Sequence, residues 1–355
     1  MPHPHLRDLA IPDLLGIFAR AGIAEEYARR LTVAMHRHGA WDWDDLRLKS
    51  AKRAALEEVA RFGPLLTPVH TRVADDGTRK DLYRLGSGDV VETVRIRNLK
   101  NPSLCVSSQA GCALRCTFCA TGRLGLLQHM TPGEITESVL RQPTPVQDVV
   151  FMGQGEPLHN YDAVMTAAIN LQHHLGACLS RKKITISTVG LIPQIERYTR
   201  EERPWRMHLS LHSAIQETRE QLIPAARANP LPDLLDAMRR FQVTRGWPWI
   251  TLQYVAIPGV NMDDDHVDAL QEQLAPLRVI LNVIPWNETG SGYRAPSWAE
   301  VKAFTTKLRR LDCPVKIRYS GGKQEGMGCG QLSGEAIATP ATGGHLTAPP
   351  GNFTG

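Results

Sequence analysis

Apolar and polar positions change rhythm twice along this chain. In the first sixty residues they recur at helical spacing. Pro12 opens a segment carrying Leu14, Leu15, Phe18 and Ala19, and Gly22 fits its stop. A second helix is predicted from about Ala24 to His38, before Gly39, and a third over Ser50 to Arg61. Short β-rich stretches follow at Thr67–Val73, Lys80–Leu85 and Val90–Ile96. Asp75-Asp76-Gly77 and Gly86-Ser87-Gly88-Asp89 separate them as hairpin turns. After the cysteine-rich stretch, which ends at Cys119, the chain alternates. Apolar runs at Val146–Met152, Ile184–Thr188, Met207–His212, Ile250–Ile257, Val279–Ile284 and Val315–Tyr319 read as strands. Thr131–Arg141, Ala163–His174, Leu231–Phe241, His266–Leu274 and Ser297–Leu311 read as helices. Strands alternating with helices predict a parallel α/β sheet, and six units are too few for an eight-unit barrel, so a partial barrel is expected.

This rhythm divides the chain into a helical module over 1–63, a β-rich connecting segment over 64–97, an α/β core over 98–335 and a tail over 336–355. The tail is rich in Gly, Pro and Thr, a composition that predicts disorder. No run approaches the roughly 18 apolar residues of a membrane span, and the start lacks a secretion-signal pattern, so a cytoplasmic protein without membrane contact is expected. The net charge of +5 is compatible with a polyanionic partner without requiring one. Arg181-Lys182-Lys183, Arg239-Arg240 and Arg309-Arg310 read singly as solvated faces. Trp41 and Trp43 read as core of the helical module, and His3, His5, His36 and His38 as surface histidines.

Seven cysteines in such a chain point to metal or redox chemistry, and four of them crowd between Cys105 and Cys119. Cys178 and Cys313 read as small buried hydrophobes. Cys112, Cys116 and Cys119 have C-x3-C-x2-C spacing, with Phe118 just before the third. Thiolates are soft ligands that select iron–sulfur clusters or zinc. Three of them can hold three irons of a cubane and leave the fourth open to a substrate amino acid. A structural zinc site would need a fourth ligand, for which Cys105 and His129 are candidates. The loop resembles that of the radical S-adenosylmethionine superfamily.

Polar groups recur at the carboxyl ends of the predicted strands, where ligand sites of parallel barrels collect. Gly155 and Glu156 lie in Met-Gly-Gln-Gly-Glu-Pro, with Glu156 able to accept from a ligand amine. Ser187, then Ser210, Leu211 and His212, then Asn287 lie at further strand ends. Together they are candidates for holding the cofactor.

Three further segments sharpen the resemblance. Leu104-Cys105-Val106-Ser107-Ser108-Gln109-Ala110-Gly111-Cys112, Val91-Glu92-Thr93-Val94 and Gly328-Cys329-Gly330-Gln331-Leu332 resemble motifs of the RlmN/Cfr family of radical S-adenosylmethionine 23S rRNA (adenine) methyltransferases. Asp76-Gly77-Thr78-Arg79-Lys80 and Tyr293-x-x-Pro296-Ser297 extend the similarity from about Asp75 to Leu332. The resemblance implies a partial (β/α)6 radical-SAM barrel with a small helical domain and a β-hairpin extension. It implies a [4Fe-4S] cluster on Cys112, Cys116 and Cys119, two S-adenosyl-L-methionine molecules per turnover, and methylation of C2 or C8 of adenine in 23S rRNA or transfer RNA. Cys329 would carry the methyl as S-methylcysteine, Glu92 would accept the ring proton, and Cys105 would resolve the adduct through a transient Cys105–Cys329 disulfide. A monomer served by a flavodoxin or ferredoxin is expected. The chain departs from the family where Ser-Arg-Gly-x-Asp-Ile is usual and Ser320-Gly321-Gly322-Lys323-Gln324-Glu325 stands instead. Two other functions fit the residues: the same radical chemistry on a substrate other than RNA, and a zinc-stabilised RNA-binding protein.

Overall fold

The computed structural model describes residues 3–96 and 102–332; the tail over 336–355 lies outside them. The helical module comprises α1 (Ile11–Arg20), α2 (Glu25–His36) and α3 (Ser50–Glu57), with Pro12 in the first turn of α1. Its own core gathers Leu14, Phe18, Leu31, Met35, Leu56 and Phe62, with Trp43 packed against them. A buried seam joins it to the rest. The Arg7 guanidinium lies 3.0 Å from the Glu137 carboxylate, which also accepts the Leu65 and Leu66 amides. Two of the histidines expected at the surface, His5 and His36, are buried in this region instead. His36 closes the inner face of α2 beside Met35, and burial next to the Arg7 charge lowers its pKa to about 3, so it packs as a neutral ring.

The remaining elements run β1 (Thr67–Val73), β2 (Arg79–Arg84), β3 (Val90–Ile96), β4 (Ser103–Val106), β5 (Gln109–Gly111), α4 (Ala120–Leu124), β6 (Leu126–His129), α5 (Pro132–Leu140), β7 (Asp148–Phe151), α6 (Tyr161–Gln172), β8 (Ile184–Thr188), α7 (Ile192–Arg200), β9 (Arg206–Ser210), α8 (Gln216–Leu222), α9 (Leu231–Arg245), β10 (Ile250–Ala256), α10 (Asp264–Leu274), β11 (Val279–Pro285), α11 (Trp298–Lys307) and β12 (Val315–Ile317). Among the described residues ten strands form one sheet in the order β1-β2-β3-β4-β7-β8-β9-β10-β11-β12. The two predicted hairpins pair β1, β2 and β3 antiparallel, and β3 pairs antiparallel with β4. From β4 to β12 every pairing is parallel. The parallel arc from β4 to β12 is thus extended at one edge by the three hairpin strands.

The parallel arc has one strand more than the six predicted. β4 escaped notice because four residues, Ser103-Leu-Cys-Val, give too short a run to show a period. Helices α7 and α8 were also missed, since polar residues dominate both. Cys313 packs beside the main core as expected, whereas Cys178 is exposed, in a left-handed turn at φ +59°.

Candidate active site

The cysteine loop is positioned by the two-stranded ribbon of β5 and β6. Gly111 ends β5 at φ +69°, and a Cβ there would stand 2.0 Å from the Gly125 carbonyl oxygen, so only glycine fits. That same oxygen accepts the Cys112 amide at 2.7 Å, which closes the base of the loop. The chain then passes through Cys116 to Cys119, whose amide donates to the Cys116 carbonyl at 3.2 Å before α4 begins.

All three cysteines border a cavity at the carboxyl ends of the parallel strands. Gly155 and Glu156 after β7, Ser187 on β8, Ser210 at the end of β9, His212 just beyond it, and Asn287 after β11 border it too. Leu211 does not. Side chains alternate along the extended chain, so Ser210 and His212 face the cavity while Leu211 points into the main hydrophobic core, fully buried. Gln253, Phe118 and Trp286 complete the walls and were not anticipated. Gln253 had a signal, a lone amide inside the apolar run of β10. The Trp286 indole N–H donates to the Phe118 carbonyl at 2.9 Å, tying the cysteine loop to the end of β11.

Fixed hydrogen bonds orient the polar walls. The Glu156 carboxylate accepts the Leu158 amide at 3.1 Å and the Val189 amide at 3.0 Å, and burial pushes its pKa up to about 7. His212 sits at φ +60°, accepts the Val255 amide at 3.0 Å through Nδ1 and meets the Phe118 ring edge-on at 4.9 Å. Burial and the nearby Arg219 charge lower its pKa to about 3, so it is a neutral hydrogen-bonding wall.

The donor set suits an iron–sulfur cluster. Burial pushes the thiols of Cys112, Cys116 and Cys119 up, with mutual repulsion adding to the rise at Cys116. Holding all three as thiolates would therefore take a cationic group among them. Arg219, fully buried and electrostatically linked to Cys116, supplies part of that charge. Its Nε and Nη1 have no hydrogen-bond partner among the described residues. A single zinc would draw four ligand atoms to within roughly 2.3 Å of one point. His129 instead meets the Gln109 amide at 3.1 Å, and Cys105 lies in the neighbouring chamber.

That chamber is bordered by Cys105, Val94, Ile96, Arg318, Met327 and Leu332. Cys119, Thr121, Met152, Gly153, Cys329 and Gly330 border both spaces, so Cys329 stands in the partition. Cys105 and Cys329 are both free thiols here, and the expected bond between them is not formed. Burial, reinforced by the neighbouring Cys329, pushes the Cys105 thiol up to about 12. The Cys329 carbonyl accepts from the Asn287 amide at 3.1 Å and its own amide donates to Ser320 Oγ at 3.3 Å. Glu92 borders neither space directly. It is fully buried in β3, two residues before Val94 on the same strand face, 3.3 Å from the Lys80 ammonium, and accepts from Gln154 at 3.3 Å.

Comparison with known proteins agrees with this geometry. The Radical SAM superfamily pattern matches residues 106–270. A chain from Anaeromyxobacter sp. named as a probable RNA methyltransferase is 41% identical, over 90% of this chain and 97% of its own length. The dual-specificity RNA methyltransferase RlmN 1 of Myxococcus xanthus is 38% identical, over 92% and 94%. The crystal structure of a radical SAM methyltransferase from Sphaerobacter thermophilus superposes with a TM-score of 0.87 at 34% identity, covering 94% of this chain and all of that one. The chain thus belongs to the RlmN/Cfr family of radical S-adenosylmethionine RNA methyltransferases, and its cofactors are a [4Fe-4S] cluster and S-adenosylmethionine.

Proposed function

We propose that this enzyme methylates a ring carbon of adenine, C2 or C8, in 23S rRNA or transfer RNA, through a methyl group carried on Cys329. The observation that supports this most is the place of Cys329 in the partition, with the cysteine loop on one side and Cys105 on the other. An electron-poor ring carbon is a weak nucleophile, so a methyl parked on the protein and then activated provides a route that direct transfer does not.

In this reading Cys112, Cys116 and Cys119 hold the cluster, while Glu156, Ser187, Ser210, His212 and Asn287, with the Gly155 backbone, hold the nucleotide and amino-acid ends of the cofactor. When bound, cluster and cofactor supply a 5′-deoxyadenosyl radical. The remaining work belongs to the chain. The Cys329 sulfur takes a methyl from one S-adenosylmethionine, forming its S–C bond as the sulfonium S–CH3 bond breaks. Glu92 accepts the adenine ring proton. The Cys105 thiolate attacks the Cys329 sulfur, forming an S–S bond as the bond from that sulfur to the carbon now joined to the ring breaks; the freed carbon takes up a proton, and the transient disulfide between two residues that border one chamber is reduced by the external reductant before the next turnover. A second S-adenosylmethionine is consumed per turnover. A flavodoxin or ferredoxin serves as electron donor, and the enzyme acts as a monomer.

The test is anaerobic incubation of the reconstituted enzyme with reductant, S-adenosylmethionine and 23S rRNA or transfer RNA lacking the modification, followed by nucleoside digestion. The reading expects 2-methyl- or 8-methyladenosine. Methylation confined to a ribose oxygen or an exocyclic nitrogen overturns it.

A further inference from the structure

The Asp76–Lys80 turn carries family-like residues that no step above uses, yet it reaches across the sheet edge to the loop bearing Cys329. Asp76 accepts the Gly322 amide at 2.9 Å while its other oxygen accepts the Thr78 amide at 2.8 Å. Gly321 lies flat on this turn. A Cβ there would stand 2.4 Å from Thr78 Oγ1, so a glycine at this position allows the close approach. Ala74, Val94, Met327 and Leu332 pack together beneath the contact.

Lys80 makes the second tie. Its side chain is buried, and its ammonium donates to the Gly326 carbonyl at 3.2 Å and lies 3.3 Å from Glu92 Oε1. Burying an ammonium costs several kcal/mol unless its partners are well placed, and an apolar side chain of similar length would fill the space at lower cost. The loop already has a tether through Asp76. What Lys80 adds is a charge that touches Glu92 and the Cys329 loop at once.

Resting on the reading of Glu92 as proton acceptor, we infer that Lys80 is a positioning residue: its ammonium fixes the Glu92 carboxylate and, through Gly326, makes that arrangement depend on the docked Cys329 loop. The acceptor is then fully set when the methyl-bearing loop is in place.

The test compares Lys80→Met, Lys80→Arg and Asp76→Ala with the wild type, each reconstituted and checked for iron content and for its circular dichroism. Two quantities are read: methyl incorporated on Cys329 from S-adenosylmethionine, and methylated adenosine formed in RNA across pH 6 to 9. For Lys80→Met we expect Cys329 methylation close to wild type and RNA methylation lowered on the order of a hundredfold near pH 7, as for an impaired general base. Its rate should recover towards high pH, because a buried carboxylate stripped of its cation holds a proton more tightly. Lys80→Arg should restore much of the rate and the wild-type pH profile, and it decides the matter if the Met variant does not fold. Asp76→Ala should lower Cys329 methylation itself. Parallel loss of both readouts in Lys80→Met with an unchanged pH profile would reduce Lys80 to a strut, and an undiminished RNA rate would leave it idle. Either result overturns the inference. Absence of methyl on Cys329 in the wild type would instead overturn the underlying reading.

Discussion

The two sides of the partition at Cys329 are built in opposite ways. On the cluster side the cysteine loop itself is local: Gly111 to Gly125 form one short ribbon and loop, braced where the Gly125 carbonyl meets the Cys112 amide. The far side is assembled from remote pieces, with Val94 and Ile96 from β3, Cys105 from β4, Arg318 after β12 and the loop from Ser320 to Leu332. The first is rigid because its geometry is fixed within fifteen residues. The second depends on contacts spanning up to 246 positions, such as Lys80 to Gly326 and Asp76 to Gly322. Under the proposed methyl-carrying role of Cys329, a site that grips one group and also passes on a methyl has a reason to combine both.

Four substitutions probe that contrast, in decreasing order of expected effect. Cys116→Ala should abolish both cluster and activity, seen as loss of iron and of brown absorbance in anaerobically reconstituted protein. Cys329→Ala should abolish RNA methylation while leaving iron content and absorbance intact, so the two sides fail separately. Matched glycine changes come next. Gly111→Ala places a methyl against backbone and should cost about 3 kcal/mol or more. Gly326→Ala at φ +68° has open space and should cost only about 1 kcal/mol. Chemical denaturation measures both, and equal losses would contradict the rigid-versus-assembled contrast.

The smallest effect concerns the scaffold beneath the cluster ribbon. Burial raises the pKa of Glu134, the capping carboxylate of α5, to about 7 from an ordinary 4.5. The folded state thus holds this proton more tightly than the unfolded chain. The group's relative contribution to stability is fully present below about 4.5 and is lost as pH rises through about 7. Glu134→Gln keeps an acceptor without the buried charge. It should flatten the pH dependence of stability between 5 and 8, a change readable by denaturation at a series of pH values.

The same contrast explains what the sequence disclosed. Cys112, Cys116 and Cys119 were legible because spacing within eight residues carries their chemistry, and Glu156, Ser187, Ser210 and Asn287 because strand ends are readable from apolar periodicity. Leu211 shares the Ser-Leu-His motif at the end of its strand, but side-chain alternation sends this middle member into the core, which the motif alone does not show. Arg219 left no signal: a single arginine in a polar helix looks solvated until folding buries it beside Cys116. Lys80 was visible as part of a motif, but its contact with Gly326 is a product of tertiary structure alone.

The central claim is that Cys329 carries the methyl that reaches RNA, and a label chase tests it most directly. Reconstituted enzyme would be charged with methyl-deuterated S-adenosylmethionine, freed of excess cofactor, then given unlabelled S-adenosylmethionine, reductant and RNA under anaerobic conditions. Peptide and nucleoside mass spectrometry would follow the label. The account predicts a labelled methyl on Cys329 that moves to the adenine ring in the first turnover. Adenine that gains only unlabelled methyl, while the label stays on the protein or never reaches Cys329, would contradict it.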